Sequence, residues 1–180
     1  MKSKRLRPAL AASFVGIMAA TLECGKLALS FLPNVEVVTL LLALYSYTFG
    51  WLGVAAALVF VAIEPLIYGF GSWVISYFIY WPLVALLFML LGRRGVKSRL
   101  ALTSAAVLLT VFFGVLTSLV EIGLFSGFFD NFFSRFAIYY ARGVVFYAVQ
   151  TACNAVLFPL LFRPLSKKLG AIRDKAFGSV

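Results

Sequence analysis

The stretch Arg93-Arg-Gly-Val-Lys-Ser-Arg-Leu-Ala-Leu-Thr-Ser-Ala-Ala-Val-Leu-Leu-Thr-Val-Phe-Phe-Gly-Val-Leu-Thr-Ser-Leu-Val-Glu-Ile-Gly-Leu-Phe125 decides the fold. It opens with four cations and then runs from Leu100 to Phe125 with Glu121 as its one charge. A hydrocarbon core about 30 Å thick is crossed by about 20 helical residues, so the run is long enough to span a bilayer. A basic cluster at one end of such a run marks the side that stays in the cytoplasm.

Working outward, the same alternation recurs along the chain. Apolar runs cover residues Pro8–Leu32, Val37–Phe49, Leu52–Phe70, Trp73–Leu91 and Phe136–Phe162, separated by Gly, Pro, Asn or charge clusters. Pro8–Leu32 follows a charged start, as a signal peptide would, but exceeds a hydrophobic region of about 7–15 residues and is read as a retained helix. Val37–Phe49 is short, and Gly50-Trp51-Leu52-Gly53 after it predicts two helices joined by a tight turn. The expectation is an all-α integral membrane protein of six transmembrane helices, forming one domain over residues 1–180. Composition agrees: 63% of the 180 residues are hydrophobic and 12% charged, against about 45–50% and 25% in soluble domains.

Thirteen of the sixteen basic residues fall in three places. These are Lys2, Lys4, Arg5 and Arg7; Arg93, Arg94, Lys97 and Arg99; and Arg163, Lys167, Lys168, Arg173 and Lys175. With six spans, both termini and the loop between the fourth and fifth share one side, and the positive-inside rule makes it cytoplasmic. Glu23, Glu36, Glu64, Glu121 and Asp130 fall in the other, outer half with Lys26, Arg135 and Arg142. The net charge of +10 is therefore a property of the cytoplasmic face, and nucleic acid is not an expected partner.

The chain has no histidine, which removes Ser-His-Asp and Cys-His catalysis and His-bearing metal sites. No enzymatic role is expected. Cys24 and Cys153 both lie in apolar runs and are read as small buried hydrophobes. No Gly-rich phosphate loop with Lys and Ser/Thr is present, so ATP would have to be hydrolysed by another subunit. Neither a ladder of basic residues nor a filter-like sequence marks a channel.

Charges retained within membrane spans usually face a cavity or a partner. Glu23 and Lys26, three apart, could pair with each other. Glu64 precedes Pro65, whose missing N–H frees the Val61 carbonyl beside a carboxylate. Aromatic residues crowd the outer ends, and the stretch from Phe125 to Phe136 reads as a loop or short helix able to cover a planar ligand. Ala12, Gly16 and Ala20, four apart, place small residues on one face of the first helix, suited either to internal packing or to a partner helix.

The segment Gly25-Lys-Leu-Ala-Leu-Ser-Phe-Leu-Pro-Asn-Val-Glu-Val-Val-Thr-Leu-Leu41, most specifically Pro33-Asn34-Val35-Glu36, resembles the substrate-binding (S) components of energy-coupling factor (ECF) transporters, a class of ABC-type vitamin importers. Tyr68-Gly-Phe-Gly-Ser-Trp73 and Tyr80-Trp-Pro-Leu83 extend the likeness. The resemblance implies a multi-pass protein of the bacterial cell membrane that takes a vitamin from outside. It implies docking, through Ala12, Gly16 and Ala20, on a coupling transmembrane subunit that works with two ATPases. The pattern is most similar to cobalamin-specific S components, and riboflavin, pyridoxine, folate, pantothenate or a queuosine precursor are the alternatives. The candidate substrate-binding residues are Asn34, Glu36, Glu64, Tyr68, Trp73, Tyr77, Phe129, Tyr139 and Arg142. A six-span membrane scaffold is the competing reading, and it would need no polar pocket.

Overall fold

Gly50 settles how the second and third apolar runs are joined. Its φ of +62° is a conformation that L side chains rarely adopt, and it reverses the chain in a single residue. The computed structural model describes residues 8–178 and shows helices α1 (Pro8–Ala28), α2 (Val38–Phe49), α3 (Trp51–Tyr68), α4 (Trp73–Arg93), α5 (Arg99–Leu119), α6 (Phe132–Leu157) and α7 (Arg163–Phe177). The basic residues Lys2, Lys4, Arg5 and Arg7 lie outside the described residues.

Five helical runs are long and apolar enough to cross a membrane: α1, α3, α4, α5 with its extension to Phe125, and the rod from Phe132 to Phe177. The chain is thus a helical, multi-pass membrane fold by length and composition. The sixth apolar helix, α2, has twelve residues, about 18 Å at 1.5 Å per residue, and falls short of the bilayer's hydrocarbon thickness of about 30 Å. Glu36 starts it, its carboxylate accepting the Thr39 backbone N–H at 2.9 Å.

α2 sits in the middle. It packs on α4, α3 and α7, while α1 lies against α3, and α6 leans on α5. Close approach is built from glycines on its neighbours. A Cβ at Gly53 of α3 would collide with the backbone of Ser46, and one at Gly92 of α4 with the Tyr47 carbonyl. The core gathered around α2 includes Leu42, Leu44, Phe60, Val84, Phe88, Phe158 and Phe162.

Four boundaries differ from the sequence reading. α1 stops at Ala28, and residues 29–37 form an irregular loop. α5 runs into a π turn, Val120–Phe125. α6 begins at Phe132, with only Ser126–Asn131 left to connect it to that turn. The basic tail is helical: α6 passes through a second π turn, Phe158–Phe162, straight into α7, forming a rod of 46 residues. Pro159 and Pro164 each lack an N–H for the α-helical ladder, and the widened turn, which contains Pro159 and ends just before Pro164, carries the helix past both. Arg173 of α7 donates to the Thr48 carbonyl at 3.2 Å, tying the rod to the end of α2.

A candidate ligand cavity

The loop of residues 29–37 leads from α1 into the short α2. Pro33 and Asn34 occupy the central positions of a β-turn in which Val35 N–H donates to the Leu32 carbonyl at 3.3 Å. Asn34 takes a φ of +63°, making the turn type II, for which Pro then Asn is a favoured pair. The turn places irregular backbone in the wall of a cavity. Within a membrane protein such backbone is tolerated where it is buried in protein or lines a cavity.

A cavity of about 240 Å³ is there, bounded by this loop, the end of α1, the start of α2 and faces of α3, α4, α5 and α6. Six aromatic side chains line it: Phe60, Tyr68, Tyr77, Tyr80, Trp81 and Phe113. All but Tyr68 brace one another, edge to face or tilted. Trp81 meets Phe60 and Tyr77 at 5.7 Å between centroids, Tyr80 meets Phe113 at 4.7 Å, and Trp73 backs Tyr77 at 5.0 Å. Polar groups of Lys26, Ser30, Asn34, Glu36, Thr39, Thr110 and Gln150 complete the lining.

Lys26 pairs with Glu64 of α3, not with Glu23 as its spacing suggested. The reason is geometric: Lys26 crosses to α3, where its ammonium also lies 4.0 Å from the Tyr68 ring centroid and 5.4 Å from that of Tyr77. Glu64 is fully buried behind it, and one Glu64 oxygen and both Glu23 oxygens have no hydrogen-bond partner. Glu36 has a fixed carboxylate. Besides Thr39 N–H it accepts Asn154 Nδ2 at 2.8 Å, and Asn154 also donates to Thr110 Oγ1 at 3.0 Å. Cys153 donates to the Glu36 carbonyl at 3.2 Å. The loop is thereby pinned to α6.

Of the nine candidate binding residues, Asn34, Glu36, Tyr68 and Tyr77 line the cavity, while Glu64 and Trp73 support lining residues from behind. Phe129, Tyr139 and Arg142 are not in its wall. The aromatic stretch expected to cover a ligand instead stacks along α6 in the order Phe128, Phe132, Phe136 and Tyr140, and Arg135 holds the Ser126 and Gly127 carbonyls. Arg142 is exposed on α6. Lys26, Tyr80, Trp81 and Gln150 were missed as lining residues. Tyr77, Tyr80 and Trp81 share the i, i+3, i+4 spacing of one helical face, which was the available signal. Ala12, Gly16 and Ala20 are all exposed on α1, so packing among the described residues does not use that row. Cys24 is exposed as well, correcting its reading as buried.

Among the described residues, no three Cys, Asp or Glu side chains gather as a metal site. The arrangement defines a class: a helical membrane protein with an aromatic, polar-rimmed cavity near one end of its bundle and basic residues at the other. Comparison with family models, with curated proteins and with solved structures gives no match.

Proposed function

We propose that the chain is the substrate-capture subunit of an ECF-type importer, with six spans, both termini in the cytoplasm and its aromatic cavity opening outward in a bacterial cell membrane. The observation that carries this reading is the cavity, lined by irregular backbone and six aromatic rings, five of them braced on one another. A scaffold has no use for either. Arg93, Arg94, Lys97, Arg99 and the basic residues of α7 lie at the opposite end, and the positive-inside rule puts them in the cytoplasm. Energy would come from two partner ATPases through a coupling transmembrane subunit that docks on the exposed Ala12, Gly16 and Ala20.

Ring faces supply stacking area, and Lys26, Asn34 and Gln150 supply orienting hydrogen bonds. A volume of about 240 Å³ lies just below the usual range of about 300–1,000 Å³ for ligand pockets. It favours a compact heteroaromatic vitamin among the alternatives over cobalamin, whose corrin would enter only by an edge unless the loop of residues 29–37 opened.

The test is to purify the full chain in detergent, record the mass and absorption spectrum of any retained small molecule, and measure ATP-dependent uptake on co-expression with a coupling module. A compact aromatic vitamin lost on Tyr77→Ala supports the reading. Corrinoid bands return the substrate to cobalamin. No retained molecule and no uptake overturn the importer reading.

A further inference from the structure

A second cavity, about 450 Å³, lies at the basic end of the bundle. It is walled by Tyr47 at the end of α2, Lys97 in the α4–α5 loop, Leu102 of α5, Phe162 of the π turn, and Arg163 and Lys167 at the start of α7. Three cations converge here and no acidic side chain lines the space. The ion pairs among the described residues are Lys26 with Glu64 and Arg173 with Asp174, so none of the three is neutralised. Asp174, the one carboxylate side chain in α7, is already taken by Arg173.

The site is held in shape by bonds that leave its cations free. Tyr47 Oη donates to the Val96 carbonyl at 2.9 Å, fixing the loop beside Lys97. Its ring meets Phe162 edge-on at 5.3 Å. Arg163 follows directly on the π turn, and Ser166 Oγ donates to its carbonyl at 3.0 Å. Leu102 and Phe162 give the cavity a buried apolar floor, and the helices that carry it, α5 and the run from Phe132, are long and apolar enough to cross a membrane. Like charges gathered without a counter-ion repel, and an anion relieves that repulsion most where part of its surroundings is apolar. A phosphate satisfies Arg and Lys donors together, and acyl chains continue onto an apolar helix surface.

We propose that this cleft binds the phosphate of an anionic membrane phospholipid at the basic face of the bundle. The chemistry recognised is a phosphate oxyanion, and the apolar floor of Leu102 and Phe162, set at the end of membrane-spanning helices, selects the lipid-borne form over a free ion. The site is independent of what occupies the aromatic cavity.

The experiment uses the full chain in nanodiscs containing phosphatidylglycerol or phosphatidylcholine alone, with retained lipid counted by native mass spectrometry. Preferential retention of phosphatidylglycerol is expected. Lys97→Gln, Arg163→Gln and Lys167→Gln should each weaken it about fivefold, the effect of one cation close to an anionic surface. Lys175→Gln removes the same charge from α7 away from the cleft and should leave retention unchanged. Should Arg163→Gln disturb the π turn and fail to fold, Lys97→Gln, in a loop, carries the test alone. Equal retention of the two lipids overturns the proposal, as does an equal loss in Lys175→Gln, which would mean diffuse attraction to the basic face. Inorganic phosphate that binds without lipid and displaces phosphatidylglycerol would make this a site for a free anion and overturn the lipid assignment.

Discussion

α2 and α6 are both apolar, yet nine of the twelve residues of α2 are buried and one of the twenty-six of α6 is. In water that contrast would follow from hydropathy, because a helix with no polar face is driven inside. In lipid the tails are as apolar as leucine, so hydropathy does not choose which helix is central. The choice is made by close approach and by hydrogen bonds. α2 is central because Gly53 and Gly92 let its backbone come near. α6 is peripheral, and its one buried residue, Asn154, is the polar anchor that reaches the loop before α2.

The contrast breaks most sharply with paired truncations. Leu42→Ala at the centre of α2 opens a cavity in the core and should cost about 2–5 kcal/mol. Val145→Ala on the exposed face of α6 exchanges one lipid contact for another and should change stability by less than about 0.5 kcal/mol. Thermal unfolding of both in the same detergent decides it, and equal shifts would mean that α6 is as buried as α2 in the functional assembly. Next comes the approach itself. Gly92→Val forces a side chain into the Tyr47 carbonyl, backbone that cannot swing aside, and should cost about 1–3 kcal/mol.

Asn154→Leu keeps α6 apolar while removing the donor shared by Glu36 and Thr110. Leaving two acceptors unpaired should cost about 1–3 kcal/mol. Because the bond to Glu36 pins the cavity loop, cleavage by an added protease within residues 29–37 should rise before global unfolding does. Smaller again is Asn34→Val. A β-branched residue at φ +63° strains the type II turn by about 1–2 kcal/mol, while Asn34→Gly should be near neutral. Circular dichroism melts of the two variants separate strain at this turn from loss of the Asn34 amide.

This contrast also explains what the sequence made legible. The apolar runs, the tight turn at Gly50 and the irregular Pro33-Asn34 segment follow from local chemistry and are present in the structure. The partner of Lys26 was not readable, since Glu23 one turn away and Glu64 a helix away are equally plausible until α1 is laid on α3. Phe125 to Phe136 misled because aromatic rings serve a lipid interface and a ligand equally well, and only packing shows which. α7 was hidden by its charges. Leu165, Leu169, Ile172 and Ala176 carry a helical period within the basic tail, and a reading centred on the positive-inside rule weighs only the lysines and arginines between them.

The smallest expected effect on the isolated chain concerns α1, which belongs with neither extreme. Its inner face, with Met18, Ala19 and Leu22, is buried as α2 is, while Ala12, Gly16 and Ala20 are exposed as α6 is. No atom comes within 4 Å of a Cβ built at Gly16. Gly16→Leu therefore starts into open space among the described residues, and removing a mid-helix glycine should stabilise α1 by less than about 1 kcal/mol. The same substitution fills the groove that lets another helix approach closely. If the row is a docking face, Gly16→Leu keeps the melting temperature and the ligand affinity of the subunit alone, yet abolishes co-purification with a coupling subunit and the uptake that depends on it. Val145→Leu on α6 adds bulk to an equally exposed position and should leave the complex intact. An assembly that survives Gly16→Leu would place α1 with α6, as a surface facing lipid alone.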